Sequence, residues 1–171
     1  MSDENEAICV ETERIKLVVL SPKQLELWVN DLFALEQELR CSYQAEPMEG
    51  FFEDIVRGQV VKAYEDSPNY MWHSFWFMIR KEDQVVIGSA DFKDVPNAEG
   101  EVEIGYGLGK EFEHHGYMTE TVQAMCEWAL QQKGVKHVIA ETETDGLASQ
   151  RILRRCGFTE YLRNQTIWWR L

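Results

Sequence analysis

The segment that most constrains the fold of this chain is a strand that ends in glycines and leads into a helix. The strand-like run from Glu103 to Gly109 carries glycines at alternate positions, and an amphipathic helix begins near Gly116. The first turn of a helix leaves backbone N–H groups without internal partners and carries the positive end of the helix dipole. Such a helix start binds phosphate or pyrophosphate groups. The segment therefore predicts a phosphate-binding site.

A second, shorter helix is predicted between Asp145 and Gly157. One of its faces carries Ser149, Ile152, Leu153 and Cys156, and Arg151, Arg154 and Arg155 surround that face. Gly157 suits the position just after a helix whose last turn is cationic. The two helices together indicate an enzyme that holds a nucleotide-like cofactor.

The remaining pattern predicts an α/β fold with a single-layer, mixed and mostly antiparallel sheet and helices on both faces. A strand over 14–20 precedes a helix that Ser21 and Gln24 begin as a capping box. A second helix runs from about Glu49 and stops before Pro68. Strands over 71–79, 85–92 and 101–108 form an antiparallel meander, the helix over 116–132 crosses over to a parallel strand at 135–144, and a hairpin over 158–171 closes the chain.

The length and charge of the chain limit its class. With 171 residues, it fits one globular domain over 11–171, preceded by an acidic and flexible tail over 1–10. A net charge of −13 argues against nucleic-acid binding, since phosphate neutralisation needs clustered Lys and Arg side chains. The same charge attracts a cationic partner such as an amine or a basic peptide, or only keeps the protein soluble.

Other classes are excluded by what the sequence lacks. No apolar run is long enough to span a membrane, and the acidic start is unlike a signal peptide, so a cytoplasmic protein without a membrane partner is expected. The four cysteines lie far apart, which indicates neither a zinc site nor a disulfide framework. His114 and His115 have no third ligand nearby in sequence, so no metal site is predicted.

These motifs, in this order, resemble those of the GNAT acetyltransferase superfamily, and most of all the branch of the ribosomal-protein N-terminal acetyltransferases (RimJ/RimL-like). The most specific segments are 103–106, 116–120 and 148–153, and the resemblance covers nearly the whole chain. It implies a GNAT-like acyl-CoA N-acyltransferase fold and acetyl-CoA as co-substrate, with homodimers common in that branch. The implied cofactor-binding residues are Leu108, His114, His115, Gly116, Tyr117, Met118, Thr119, Gly146 and Arg154. The family's loop pattern is Gln/Arg-x-x-Gly-x-Gly/Ala, and this chain departs from it at Glu113 and Met118.

The resemblance also suggests catalytic groups, each with an alternative reading. Many relatives place a tyrosine at the position of Leu153 to protonate the departing thiolate, so Ser149 is the candidate acid here, unless it only caps the helix. Glu103 and Glu141 are candidate bases, or else exposed strand carboxylates. A backbone N–H near Leu108 would polarise the thioester carbonyl.

Two function classes follow. The first is an acetyl-CoA-dependent N-acetyltransferase that transfers acetyl directly to a primary amine of a small molecule or to a peptide N-terminus. The second is a non-catalytic acyl-CoA-binding or sensing module, which the departures at Glu113 and Met118 favour. A dinucleotide oxidoreductase is excluded because the turn follows an antiparallel meander. The aromatic strand near Trp72 and Trp76 is predicted to be core, or to line an acceptor pocket with one face.

Overall fold

The computed structural model describes residues 7–171, and in this part of the chain one nine-stranded sheet organises the fold. The strands are β1 (Cys9–Glu11), β2 (Ile15–Val19), β3 (Ser42–Tyr43), β4 (Phe75–Arg80), β5 (Val85–Phe92), β6 (Glu101–Leu108), β7 (His137–Glu143), β8 (Thr159–Arg163) and β9 (Thr166–Arg170). The helices are α1 (Pro22–Asn30), α2 (Leu32–Leu39), α3 (Gly50–Glu65), α4 (Tyr117–Leu130) and α5 (Leu147–Arg155).

The order across the sheet is β1-β2-β4-β5-β6-β7-β9-β8, and β3 pairs in parallel with β5. The predicted antiparallel meander is confirmed as β4, β5 and β6. The predicted crossover is also confirmed, because α4 connects β6 to the parallel strand β7. The fold class expected from the sequence is therefore correct: a mixed, mostly antiparallel sheet with helices.

Alternation along β4 sends side chains to opposite faces, and the two faces have different cores. On one face the Trp28 ring of α1 packs edge-on against Phe75 and Phe77, with ring centroids 5.4 and 4.9 Å away. On the other face Trp76 packs against Trp128 of α4, with centroids 4.8 Å apart. Helices α1 and α3 thus lie on one side of the sheet, and α4 and α5 lie on the other.

This packing confirms the prediction that Trp72 and Trp76 belong to the core, and the alternative that they line an acceptor pocket is wrong. Both are buried, at 7% and 0% exposure, and both rings contact Phe92 and Trp128 beneath α4. The strand also begins at Phe75 rather than at residue 71. A 3-10 turn over 67–72 precedes it, and the Tyr70 carbonyl accepts hydrogen bonds from the N–H groups of the two residues before the strand.

The first helical region is divided where one helix was predicted. The capping box at Ser21 is present at the start of α1. Asp31, however, leaves the helical conformation at φ −153°, and its Oδ1 accepts the Ala34 N–H at 3.2 Å, so it begins a second helix. Two short strands, β1 and β3, were not predicted.

The boundary expected between tail and domain lies inside β1. Cys9 and Val10 pair with Val18 and Leu17 of β2, so the sheet begins before residue 11. Residues 1–6 of the predicted tail lie outside the described residues. Over the described range, none of the helices has the length and apolar character needed to cross a membrane.

Candidate active site

The site begins where β6 and β7 stop pairing. Their last paired residues are Glu103 and Ile139, and beyond them the two strands diverge and leave a gap. The backbone groups of successive residues in a strand point to opposite sides. The Glu103 carbonyl accepts the Lys93 N–H and the Gly109 N–H donates to the Ile87 carbonyl, so the odd-numbered residues of β6 face β5. The N–H groups of Tyr106 and Leu108 therefore point into the gap, where no strand partner meets them.

One cleft, which we name the α4 cleft, opens beside this gap at the start of α4. It has a volume of about 340 Å³. It contains most of the residues that the resemblance implied for the cofactor: Leu108, His114, Gly116, Tyr117, Met118 and Thr119. Ala148 to Ile152 of α5 contribute to the opposite wall, together with Arg155.

The backbone at the start of α4 is shaped to present its N–H groups to this cleft. Gly116 adopts φ 80°, which an L-residue with a side chain rarely takes, and so turns the loop into the helix. The first intrahelical bond is the one from the Glu120 N–H to the Gly116 carbonyl. Within the described part of the chain, no backbone N–H from 114 to 119 donates to a protein group. Six donors are therefore left without a backbone partner, and the binding of an anion there stays a prediction.

An ion pair fixes this loop to the far end of the sheet. The Glu120 carboxylate accepts hydrogen bonds from Arg14 Nε at 3.0 Å and from Thr12 Oγ1 at 2.6 Å. Burial opposes its ionisation, but these hydrogen bonds outweigh burial and lower the pKa of Glu120. Arg14 also donates to the His115 carbonyl at 2.9 Å, which orients the loop before the helix.

Three residues implied for the cofactor lie elsewhere. His115 faces solvent and holds Arg14 through its carbonyl. The Gly146 N–H is used within the turn, where it donates to the Glu143 carbonyl at 3.1 Å. The Arg154 guanidinium stacks over the Trp169 ring at 5.0 Å. The arginines that reach the α4 cleft are Arg151 and Arg155, because they lie on the adjacent face of α5.

A second cleft, the α3 cleft, lies on the opposite side of the gap and has a volume of about 640 Å³. Its floor is the face of β5 and β6 that carries Ser89, Asp91, Gly105 and Gly107. Its walls are the α3 residues Phe52, Ile55, Gln59 and Lys62 and the segment from Tyr43 to Glu46. The two clefts meet, because Glu46, Tyr106, Gly107 and Ser149 line both.

Asp91 is the residue of this cleft that the sequence analysis missed. It is 8% exposed, and the described residues offer its carboxylate no hydrogen bond. Burial, reinforced by Glu103 and opposed by Lys93, raises the pKa of Asp91 to about 7. The absence of a side chain at Gly105 makes room for it, since a methyl group there would lie 2.8 Å from Asp91 Oδ1. The available signal was that Asp91 is the only charged residue of β5.

The two carboxylates proposed from the sequence are placed differently. Glu103 forms an ion pair with Lys93 at 2.9 Å and does not line either cleft. Glu141 lines the α3 cleft, and its carboxylate accepts the Thr166 hydroxyl at 2.6 Å. Glu46, which the sequence analysis did not single out, is the carboxylate that lines both clefts.

Ser149 lies at the junction of the clefts, and the interpretation that it caps α5 is wrong. The N-cap of α5 is Gly146, and the helix has no side-chain cap. The Tyr106 hydroxyl donates to the Ser149 carbonyl at 3.4 Å, and burial raises the pKa of Tyr106 to about 12. Two protonated hydroxyls thus face the region where the clefts meet.

The predicted turn at Gly157 is confirmed: it has φ 90°, and the Phe158 N–H donates to the Leu153 carbonyl.

The amino-acid sequence matches a known protein family. The model of the Acetyltransferase (GNAT) domain matches residues 14–159. The Bacillus subtilis N-acetyltransferase YjdG is 26% identical over 159 residues, which cover 88% of this chain and 89% of that protein. A second Bacillus subtilis N-acetyltransferase, YoaA, is 25% identical over 152 residues, covering 87% and 81%.

Solved structures share the fold at lower identity. The ribosomal-protein-S5-alanine acetyltransferase of Vibrio fischeri superposes with a TM-score of 0.68 at 15% identity, covering 96% of both chains. The ribosomal L7/L12 alpha-N-protein acetyltransferase RimL, solved with coenzyme A, gives 0.67 at 15% identity and covers 96% of this chain and 97% of its own.

Proposed function

Because this chain belongs to the GNAT acetyltransferase family and is an acetyltransferase, we propose that it transfers acetyl from acetyl-CoA to a primary amine. The amine belongs to a small molecule or to a peptide N-terminus and enters through the α3 cleft. The observation that carries this proposal is the gap between β6 and β7, where two clefts of different chemistry meet.

The α4 cleft fits the co-substrate. The free N–H groups from 114 to 119 and the positive end of the α4 dipole suit a pyrophosphate. Arg151 and Arg155 add positive charge on the opposite wall. Glu113 also lines the cleft, but His114 lies 3.9 Å from it and reduces its repulsion of a phosphate when protonated. The departure at Met118 leaves its N–H available, since the side chain is buried at 4% exposure.

The α3 cleft fits a cationic acceptor. Its ionisable lining residues are the acids Glu46, Asp91 and Glu141 and the bases Lys62 and Lys93, and Lys93 already pairs with Glu103. The uncompensated negative charge attracts an ammonium group. The ribosomal L7/L12 alpha-N-protein acetyltransferase RimL shares the fold and was solved with coenzyme A, which supports CoA as the co-substrate here.

The chemistry assigns a role to each group at the junction. Acetyl-CoA supplies a thioester, whose carbon–sulfur bond breaks as the amine nitrogen bonds to the acetyl carbon. Glu46 accepts a proton from the entering ammonium, because it lines both clefts. Glu141, which lines the α3 cleft, is the alternative, whereas Glu103 pairs with Lys93 and lines neither cleft. The N–H groups of Tyr106 and Leu108 stabilise the oxyanion, and the hydroxyl of Ser149 or Tyr106 returns a proton to the departing thiolate.

The test is thiol release and product mass with acetyl-CoA and a panel of amines, polyamines and N-terminal peptides. We expect turnover of primary amines and a mass increase of one acetyl group. Calorimetry with CoA is measured on the same preparation. Binding of CoA without turnover of any acceptor would support the alternative, a non-catalytic acyl-CoA-binding module. Absence of CoA binding would refute both.

A further inference from the structure

Asp91 occupies a position that the proposed chemistry does not use. The thioester belongs at the junction of the clefts, and the residues shared there are Glu46, Tyr106, Gly107 and Ser149. Asp91 lines only the α3 cleft. This carboxyl group is nine-tenths buried, lines a cleft and receives no hydrogen bond from the described residues, so it is available to a partner from outside.

Two carboxylates of this cleft lie over neighbouring positions of β6. A methyl group on Gly105 would lie 2.8 Å from Asp91 Oδ1, and one on Gly107 would lie 3.6 Å from Glu46 Oε2. These glycines are two residues apart and face the same side of the sheet, so they are separated by about 7 Å along the strand. Glu46 is the outer carboxylate, at the junction, and Asp91 is the inner one.

Among the described residues, no cation forms an ion pair with Asp91. Lys93 passes over the same glycine, with its Cε 3.3 Å from a methyl group on Gly105. Its ammonium nevertheless pairs with Glu103 at 2.9 Å, and no ion pair within 4 Å joins Asp91 to a cation of the described chain. The net charge is therefore one negative unit when Glu103, Lys93 and Asp91 are all ionised.

We infer that the acceptor is a short, unbranched diamine, or a polyamine that ends in one, and that Asp91 binds its second ammonium group. The inference rests on the proposed function, with the reacting amine beside Glu46 at the junction. Five staggered bonds of butane-1,4-diamine separate its nitrogens by about 6 Å, and six bonds of the five-carbon diamine by about 7.5 Å. Phe75, which pairs with Asp91 across the strands, and Phe52 line the same cleft and offer apolar surface to the methylene chain.

The experiment compares kcat/KM for n-butylamine with that for diamines of two to eight carbons, in the wild-type enzyme and in Asp91→Asn. The four- or five-carbon diamine should exceed n-butylamine by at least about tenfold, beyond the factor of two from its two equivalent amines, and shorter and longer diamines should be weaker. In Asp91→Asn this ratio should fall by at least about tenfold. Asp54→Asn, the same exchange at an exposed position on α3, is the matched control and should keep the ratio.

Two outcomes would overturn the inference. Equal kcat/KM for the monoamine and the diamines would show that no second cation is bound. An equal loss for both substrates in Asp91→Asn would show that Asp91 acts on the reacting amine instead. If no amine is acetylated, the proposed function fails, and calorimetry with butane-1,4-diamine still tests the inference: the wild type must bind it more tightly than Asp91→Asn.

Discussion

Replacing Asp91 with asparagine should make the free energy of unfolding less dependent on pH. The side chain is buried at 8% exposure beside the Lys93–Glu103 ion pair. Burial raises its pKa from 3.8 to about 7, while Lys93 opposes and Glu103 reinforces this change. Asparagine has nearly the same shape but cannot ionise, so the substitution removes the titration and preserves the packing.

The sign and size follow from proton linkage. Below about pH 4 the carboxyl is protonated in both the folded and the unfolded chain. Between about pH 4 and pH 7 the unfolded chain releases the proton that the folded chain retains, so the stability of the wild type falls as the pH rises. A pKa difference of about 3 corresponds to a loss of up to about 4 kcal/mol. Asp91→Asn avoids this loss. As the pH rises from about 4 to 7, its free energy of unfolding should therefore increase relative to that of the wild type by up to that amount.

Urea unfolding of both proteins, at a series of pH values from about 4.5 to 8, measures the difference. Any cost of burying the amide is independent of pH, so it shifts the whole difference curve without changing its slope. Asp54→Asn, at an exposed site, should run parallel to the wild type. If the curve for Asp91→Asn is also parallel to the wild type, Asp91 does not titrate in this range, and the argument from its burial is wrong.

Three further predictions concern glycines and the proposed acid. Gly105→Ala should lower the free energy of unfolding by about 1–3 kcal/mol, because its methyl group would meet a buried carboxylate oxygen at 2.8 Å; Gly58→Ala, in open space, should not. Gly116→Val should weaken CoA binding more than about tenfold by calorimetry, whereas Gly134→Val, equally strained at φ 84° but outside both clefts, should keep CoA affinity. Ser149→Ala should lower kcat by about tenfold to a thousandfold with an unchanged Tm; an unchanged kcat would refute its role as acid.

Local patterns were sufficient wherever the physical cause was local. The capping box at Ser21, the glycine after α5 and the start of α4 at Gly116 each depend on a few consecutive residues, and the structure contains all three. The free N–H groups of the α4 start are equally local, because every helix begins with unpaired donors. The start of α4 and its free N–H groups could therefore be predicted from the sequence.

Predictions failed where neighbouring residues allowed more than one arrangement. The spacing of Leu25, Trp28, Leu32 and Leu35 fits one helix, but Asp31 begins a new one. Arg154 and Arg155 are adjacent and have the same side chain. Only the packing of α5 decides which of them reaches the α4 cleft. For Trp76 the sequence left core and pocket lining open, and its contact with Trp128, which is distant in sequence, decides for the core.

The sequence by itself determined the fold class, the order of most elements and the start of α4 with its free N–H groups, because periodicity, capping and turn chemistry act over a few residues. The tertiary structure alone decided which carboxylates line the two clefts. Asp91, Gly105 and Phe75 come together only through strand register, and the burial of Asp91 depends on residues from three strands and a helix. A pKa and a free hydrogen-bonding position are properties of that assembled environment, and no single segment contains them.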